Sequence, residues 1–189
     1  MARGNAPLPV RRSIRLRSFD YTNPGAYFVT LCAHNQRNPF GKIVQDEMVL
    51  NLVGHIVNEC WLDLARHFPN IRLARHVVMP NHLHGIISIQ ERARHAVPLR
   101  VSSGAGSNAP PKTHAFASAV RGSLPTIVGA FKAAASKRVR AAMDKPSFRL
   151  WQRGYFEHVI RNEDDFEKTC KYIRLNPRRW TFDADNLLP

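Results

Sequence analysis

The run Met79-Pro80-Asn81-His82-Leu83-His84-Gly85 concentrates more reactive chemistry than any other stretch of the 189-residue chain. In a β-strand, residues two apart point to the same face. His82 and His84 therefore offer two imidazoles to one divalent cation, while Leu83 faces the other way. Gly85 leaves room for close backbone approach. Two histidines do not complete a structural zinc site. A third ligand has to come from elsewhere, and an open coordination sphere suits catalysis.

The second constellation is Lys171-Tyr172-Ile173-Arg174-Leu175-Asn176-Pro177. On a helix, Tyr172 and Asn176 are one turn apart and share a face, so a phenol and an amide oxygen could approach a metal held by the histidines. A tyrosine hydroxyl, with a pKa near ~10, becomes a nucleophile only when a cation or base activates it. Covalent attack on phosphorus, with the bond energy stored as phosphotyrosine, is its natural use. Tyr155 is the rival phenol, but it adjoins a strand-like run with no amide four residues on.

These residues need a scaffold, and the hydrophobic pattern predicts one. Tyr27 to Cys32 is aromatic and β-branched, as a buried strand requires. Gly41 to Val44 and Met48 to Leu50 predict a hairpin around Gln45-Asp46-Glu47. Asn51 is placed to cap a helix in which Leu52, Val53, Ile56, Val57, Trp61 and Leu64 recur at helical spacing to His67. A second hairpin follows, from Ile71 to Met79 and from His82 to Gln90, with Pro80-Asn81 as its turn. Leu124 to Ala142 is again helical, burying Ile127, Val128, Phe131, Ala135 and Val139 and turning Lys132, Arg138 and Arg140 outward. Trp151 to Ile160 contains a strand. Asn162 caps a last helix with acids in its first turn, which ends near Asn176-Pro177 because the residue before proline avoids the α region. The order predicts an α+β fold with mostly antiparallel pairing.

Charge tells what the scaffold meets. The chain carries 28 Lys and Arg against 14 Asp and Glu, while 44% hydrophobic content supports a folded core. Residues 1 to 19 hold five arginines and no acid, and residues 92 to 143 hold nine basic residues and no acid. Together these two segments equal the whole excess of +14. Clustered cations without nearby carboxylates fit a polyanion, and nucleic acid above all. Residues 1 to 18 predict a flexible basic arm, and residues 91 to 123, rich in Gly, Ser and Pro, a mobile basic loop. The segment 181 to 189 is a tail. The three cysteines are too far apart for a disulfide framework or a metal clip. No signal-like or membrane-spanning stretch is present, so a cytoplasmic protein without membrane contact is expected.

Phe28-Val-Thr-Leu, Phe40-Gly-Lys-Ile, Met79-Pro-Asn-His-Leu-His-Gly, Phe131-Lys132, Trp151-Gln-Arg-Gly-Tyr-Phe-Glu-His and Tyr172-Ile-Arg-Leu-Asn-Pro occur in this order. From about Tyr21 to Trp180 the chain thereby resembles the single-tyrosine HUH transposases, and more narrowly the REP-associated tyrosine transposases, linked to repetitive extragenic palindromes. The resemblance implies a ferredoxin-like β-α-β-β-α-β core with an antiparallel sheet and a C-terminal catalytic helix, spanning 19 to 180. It implies Mg2+ or Mn2+, single-stranded DNA with hairpins as substrate, and a 5′-phosphotyrosine intermediate with a free 3′-OH. A nucleoid-associated monomer or homodimer follows from it. Carried over, His82 and His84 match the metal pair, Tyr172 the nucleophile and Asn176 the amide assisting the metal. Insertion-sequence relatives usually place Gln at that last position, and Asn fits the palindrome-associated branch. Arg11, Arg12, Arg15 and Arg17 of the arm and Lys132, Lys137, Arg138 and Arg140 of the helix would track the DNA backbone. Two other classes stand beside this reading: a DNA-binding regulator without catalysis, which the presence of Tyr172 disfavours, and a His-x-His metallohydrolase, which the lack of further Asp and His clusters disfavours.

Overall fold

The computed structural model describes residues 23–36, 38–91 and 122–180. In chain order the elements are β1 (Gly25–Cys32), a 3-10 turn (His34–Gln36), β2 (Gly41–Val44), β3 (Glu47–Leu50), α1 (Leu52–Leu62), α2 (Leu64–His67), β4 (Ile71–Val78), β5 (His82–Ile89), α3 (Leu124–Met143), β6 (Phe156–Ile160) and α4 (Glu163–Arg179). Four strands form one sheet in the order β4-β5-β1-β6, and every neighbouring pair is antiparallel. With α1 and α3 as the crossovers, this is the expected ferredoxin-like β-α-β-β-α-β core. The arm, the loop residues 92–121 and the tail 181–189 lie outside the described residues. Among those described, no helix is long and apolar enough to cross a membrane.

Strand alternation gives the sheet two different faces. Tyr27, Val29, Leu31, Leu83 and Ile87 point to one side, where they join Val57 and Trp61 of α1 and Ile127, Phe131 and Val139 of α3 in a single apolar cluster. Gly85 belongs to this side. A Cβ there would stand 2.2 Å from Trp61 Cζ2, so the indole lies on bare backbone and the expected close approach is that of α1. On the other side, Thr30 is opposite His84 and Cys32 opposite His82. This face is crossed by α4, which packs against β4 and β3.

Several boundaries differ from the expectation. The β2–β3 turn has two residues, Gln45 and Asp46, both at positive φ (50° and 62°). Glu47 already pairs with Val44, as a type I′ hairpin requires. The helix from Leu52 is capped by Asn51, whose side chain accepts from the Gly54 N–H at 3.0 Å, but it is interrupted at Asp63. An apolar stripe does not register that break, because Trp61 and Leu64 are buried on either side of it. The strand expected within Trp151 to Ile160 is Phe156–Ile160, because Gly154 at φ +77° turns the chain before it. Trp151 retains only an isolated bridge to Ala33. The last helix runs through Pro177 to Arg179. In the final turn a proline forfeits a single backbone hydrogen bond, and burial of Ile173, Asn176 and Trp180 holds the turn together.

Candidate active site

β5 presents His82 and His84 side by side, with ring centroids 4.3 Å apart and exposures of 0% and 2%. Each ring is fixed through Nδ1: His82 by Asn81 Oδ1 at 2.8 Å, and His84 by Thr30 Oγ1 at 2.8 Å. Burial, and after it the neighbouring His82, hold His84 well below the usual imidazole range, so the ring is neutral.

α4 brings the second constellation to this pair. The Tyr172 hydroxyl lies 3.3 Å from His84 Nε2, although 88 positions separate the two residues. The phenol ring stands edge-on to Phe28 and tilted on His84, with centroids at 6.0 and 5.2 Å. At 38% exposure it remains open to a ligand. One turn on, Asn176 is 1% exposed, and its Oδ1 is buried without a hydrogen-bond donor among the described residues. Trp180 closes the far side against His82, at 5.9 Å between centroids. At the other end of α4, His158 Nε2 lies 2.9 Å from Asp165 Oδ2 and ties the first turn to β6. That hydrogen bond, ahead of one from the Arg161 backbone N–H, holds the Asp165 carboxyl below its ordinary range. Tyr172 thus meets the histidine pair, and Asn176 lies one turn further along the same helix, between Tyr172 and Trp180.

No group of three or more His, Cys, Asp or Glu able to hold a metal occurs among the described residues. A cation here would rest on two imidazole nitrogens and one amide oxygen. That donor set suits the site: burial keeps the His84 ring neutral, and a buried carbonyl oxygen with no donor is what a cation would satisfy.

The rival phenol is elsewhere. Tyr155 packs against the apolar cluster under α1 and α3, on the opposite face of the sheet from the histidines. The basic residues of α3 also lie in that opposite layer. Lys132, expected to face outward, donates instead to the carbonyls of Gln152 (2.6 Å) and Gly154 (2.8 Å), and burial lowers its pKa. Arg138 pairs with Glu59 and with Asp63 of the α1–α2 junction. Arg140 Nε donates to Phe148 O at 2.9 Å, and Lys137 is exposed. Lys132 and Arg140 line a cleft of about 550 Å³ together with Arg149 and Arg153. Arg11, Arg12, Arg15 and Arg17 lie outside the described residues.

Sequence reasoning missed Thr30, Asn81, Phe28 and Trp180. Asn81 could have been found from its place beside His82. The other three depend on strand pairing and helix packing, which no local pattern carries.

Comparison with known proteins bears on the fold. The fold is that of a REP-associated tyrosine transposase solved bound to a REP hairpin, with a TM-score of 0.53 and 18% identity over 92% of this chain and 74% of that one. A Deinococcus radiodurans protein provisionally described as a transposase aligns more loosely, with a TM-score of 0.45 and 16% identity over 85% of this chain and 95% of that one. In sequence, the chain is 37% identical over 179 residues to an uncharacterized protein of Haemophilus influenzae, spanning 95% of this chain and 94% of the other. The chain belongs to one family with that Haemophilus protein. No family model matches it.

Proposed function

We propose that this protein cleaves single-stranded DNA at palindromic, hairpin-forming sequences and transfers the strand through Tyr172. The observation that carries this reading is the Tyr172 hydroxyl beside His84 Nε2, delivered by a helix from the far end of the chain to a buried histidine pair. The shared fold supports it, since the solved relative holds a REP hairpin.

In the step we infer, the phenol oxygen forms a bond to phosphorus and the bond from phosphorus to the 3′ oxygen breaks. The phenol loses its proton and the departing 3′ oxygen gains one. The products are a 5′-phosphotyrosine and a free 3′-OH, and attack by a 3′-OH in the reverse direction rejoins the strand. His82, His84 and Asn176 would hold Mg2+ or Mn2+, whose chemistry is to polarise the scissile phosphate. Phe28 and the α4 backbone hold the phenol ring over the pair, and Trp180 shields His82 from water. Lys137, Arg140 and the neighbouring Arg149 and Arg153 offer cations to DNA on the opposite layer, while Lys132 and Arg138 serve mainly to fasten α3. Phe156, 37% exposed on the histidine face, offers a surface for base stacking.

Incubation with a single-stranded palindromic hairpin and Mn2+ tests the reading. The native chain is expected to form a covalent protein–5′-phosphate adduct. Tyr172→Phe forms none yet still binds the DNA, because only the nucleophilic oxygen is lost. Tyr155→Phe retains the adduct. An active Tyr172→Phe variant, or full cleavage by the native chain in EDTA, contradicts the mechanism.

A further inference from the structure

Two buried side chains beside the histidine pair belong neither to the nucleophile nor to the donor set. Asn81 is 3% exposed and Thr30 is 7% exposed, and each directs its oxygen at an imidazole Nδ1 from 2.8 Å. An amide oxygen only accepts, so His82 Nδ1 carries a proton, and in the neutral ring the lone pair is then on Nε2. Thr30 could donate or accept, and Tyr172 resolves which. A phenol, with a pKa near ~10, is a far better donor than an aliphatic hydroxyl. The arrangement that uses it has Tyr172 O–H donating to His84 Nε2 and His84 Nδ1–H donating to Thr30 Oγ1.

Both supports stand on fixed backbone. Thr30 is the direct cross-strand partner of His84 in the β1–β5 ladder. Asn81 sits in the β4–β5 turn, where its carbonyl accepts from the Ala33 N–H at 2.7 Å and the Met79 N–H reaches His82 O at 2.7 Å.

We infer that Thr30 and Asn81 are positioning residues that hold both imidazoles as Nδ1–H tautomers, so that both Nε2 atoms present lone pairs beside Asn176. Free imidazole side chains favour the other tautomer, in which Nε2 is protonated and unable to ligate. Without the two oxygens, the pair would face the site with the wrong atoms. The purpose of this device rests on the metal reading above, whereas its existence does not.

The test uses the full chain with ring-¹⁵N histidine, free of metal, with tautomers read from nitrogen shifts and couplings. Both native rings are expected as Nδ1–H. Thr30→Val shifts His84 toward Nε2–H and Asn81→Ala does the same for His82, while Thr30→Ser and Asn81→Asp restore the native form. Mn2+ affinity, measured by calorimetry, falls by about 10–100-fold in the Val and Ala variants. A native ring found as Nε2–H, which needs no variant to observe, overturns the inference. So do native tautomers that persist in folded Thr30→Val and Asn81→Ala. Tautomers that shift as stated support the positioning role even if Mn2+ fails to bind, and that failure would instead sink the metal reading.

Discussion

The two faces of the four-stranded sheet are built from alternate residues of the same strands, each has a fully buried centre, and they differ in what that centre holds. Toward α1 and α3, Tyr27, Val29, Leu31 and Leu83 are each 0% exposed within a continuous apolar cluster. Toward α4, Ile86 is also 0% exposed, but around it His82, His84, Thr30 and Asn176, all polar, are at most 7% exposed. A buried polar group without a partner costs about 1–3 kcal/mol. The site face keeps this cost low by pairing each imidazole Nδ1 with a side-chain oxygen, yet leaves Asn176 Oδ1 without a donor. Depth of burial therefore does not separate scaffold from site. The separation lies in which polar atoms remain available after the internal hydrogen bonds are made.

Substitutions should break the two faces differently. The largest effect is expected from His82→Ala or His84→Ala, which should lower metal-dependent cleavage by about three orders of magnitude, since the electrostatic stabilisation removed is several kcal/mol. Initial rates on a hairpin substrate check this, with thermal melts confirming that the variants fold. On the other face, Gly85→Ala should cost about 1–3 kcal/mol of stability, because the added methyl overlaps the Trp61 ring. Denaturant titration measures it, and a variant as stable as the native chain would show that the indole has room to shift.

Each face also holds a histidine that burial keeps below its ordinary value of 6.5: His84 beside the site, and His76, which stacks on Trp61 and bonds Asn58 Oδ1 at 2.8 Å. Between the unfolded value and the lower native one, the unfolded chain binds more protons. Stability should therefore be unaffected by these groups above pH 6.5 and fall as pH drops below it, by at most about 1.4 kcal/mol per pH unit for each histidine. His76→Gln should flatten the profile by up to one proton, as denaturant midpoints between pH 7.5 and 5 would show. The smallest effect has the opposite sign. Asn176→Leu removes an orphaned amide oxygen and should leave stability unchanged or raise it by about 1 kcal/mol, while Mn2+ affinity and cleavage fall. A destabilised Asn176→Leu variant would mean that the amide serves the fold.

The contrast between the faces also explains what could be read in advance. His82-x-His84 and Tyr172 to Asn176 follow the periods of strand and helix, so each pair was legible as a shared face, and the element order was enough for an α+β fold with antiparallel pairing, the ferredoxin-like core coming with the family resemblance. That the two pairs meet depends on α4 folding back across the sheet. No local period encodes that, and the family resemblance supplied it. Thr30 was illegible because its role exists only in register with His84, 54 positions away. Lys132 misled for a related reason. Its place flanking the apolar stripe of α3 implies exposure, whereas its partners are backbone carbonyls of residues 152 and 154, which have no signature in the sequence. Pro177 was over-read, because a proline stops a helix where there is helix left to stop.

Tyr172, placed against the histidine pair, is expected to carry the DNA. Protein trapped with a single-stranded palindromic hairpin and Mn2+, digested with trypsin and sequenced by mass spectrometry, tests it directly. The expected result is a nucleotide attached through its 5′ phosphate to Tyr172, absent when EDTA is added. Attachment at Tyr155, or strand cleavage that leaves no protein-linked phosphate, would contradict it.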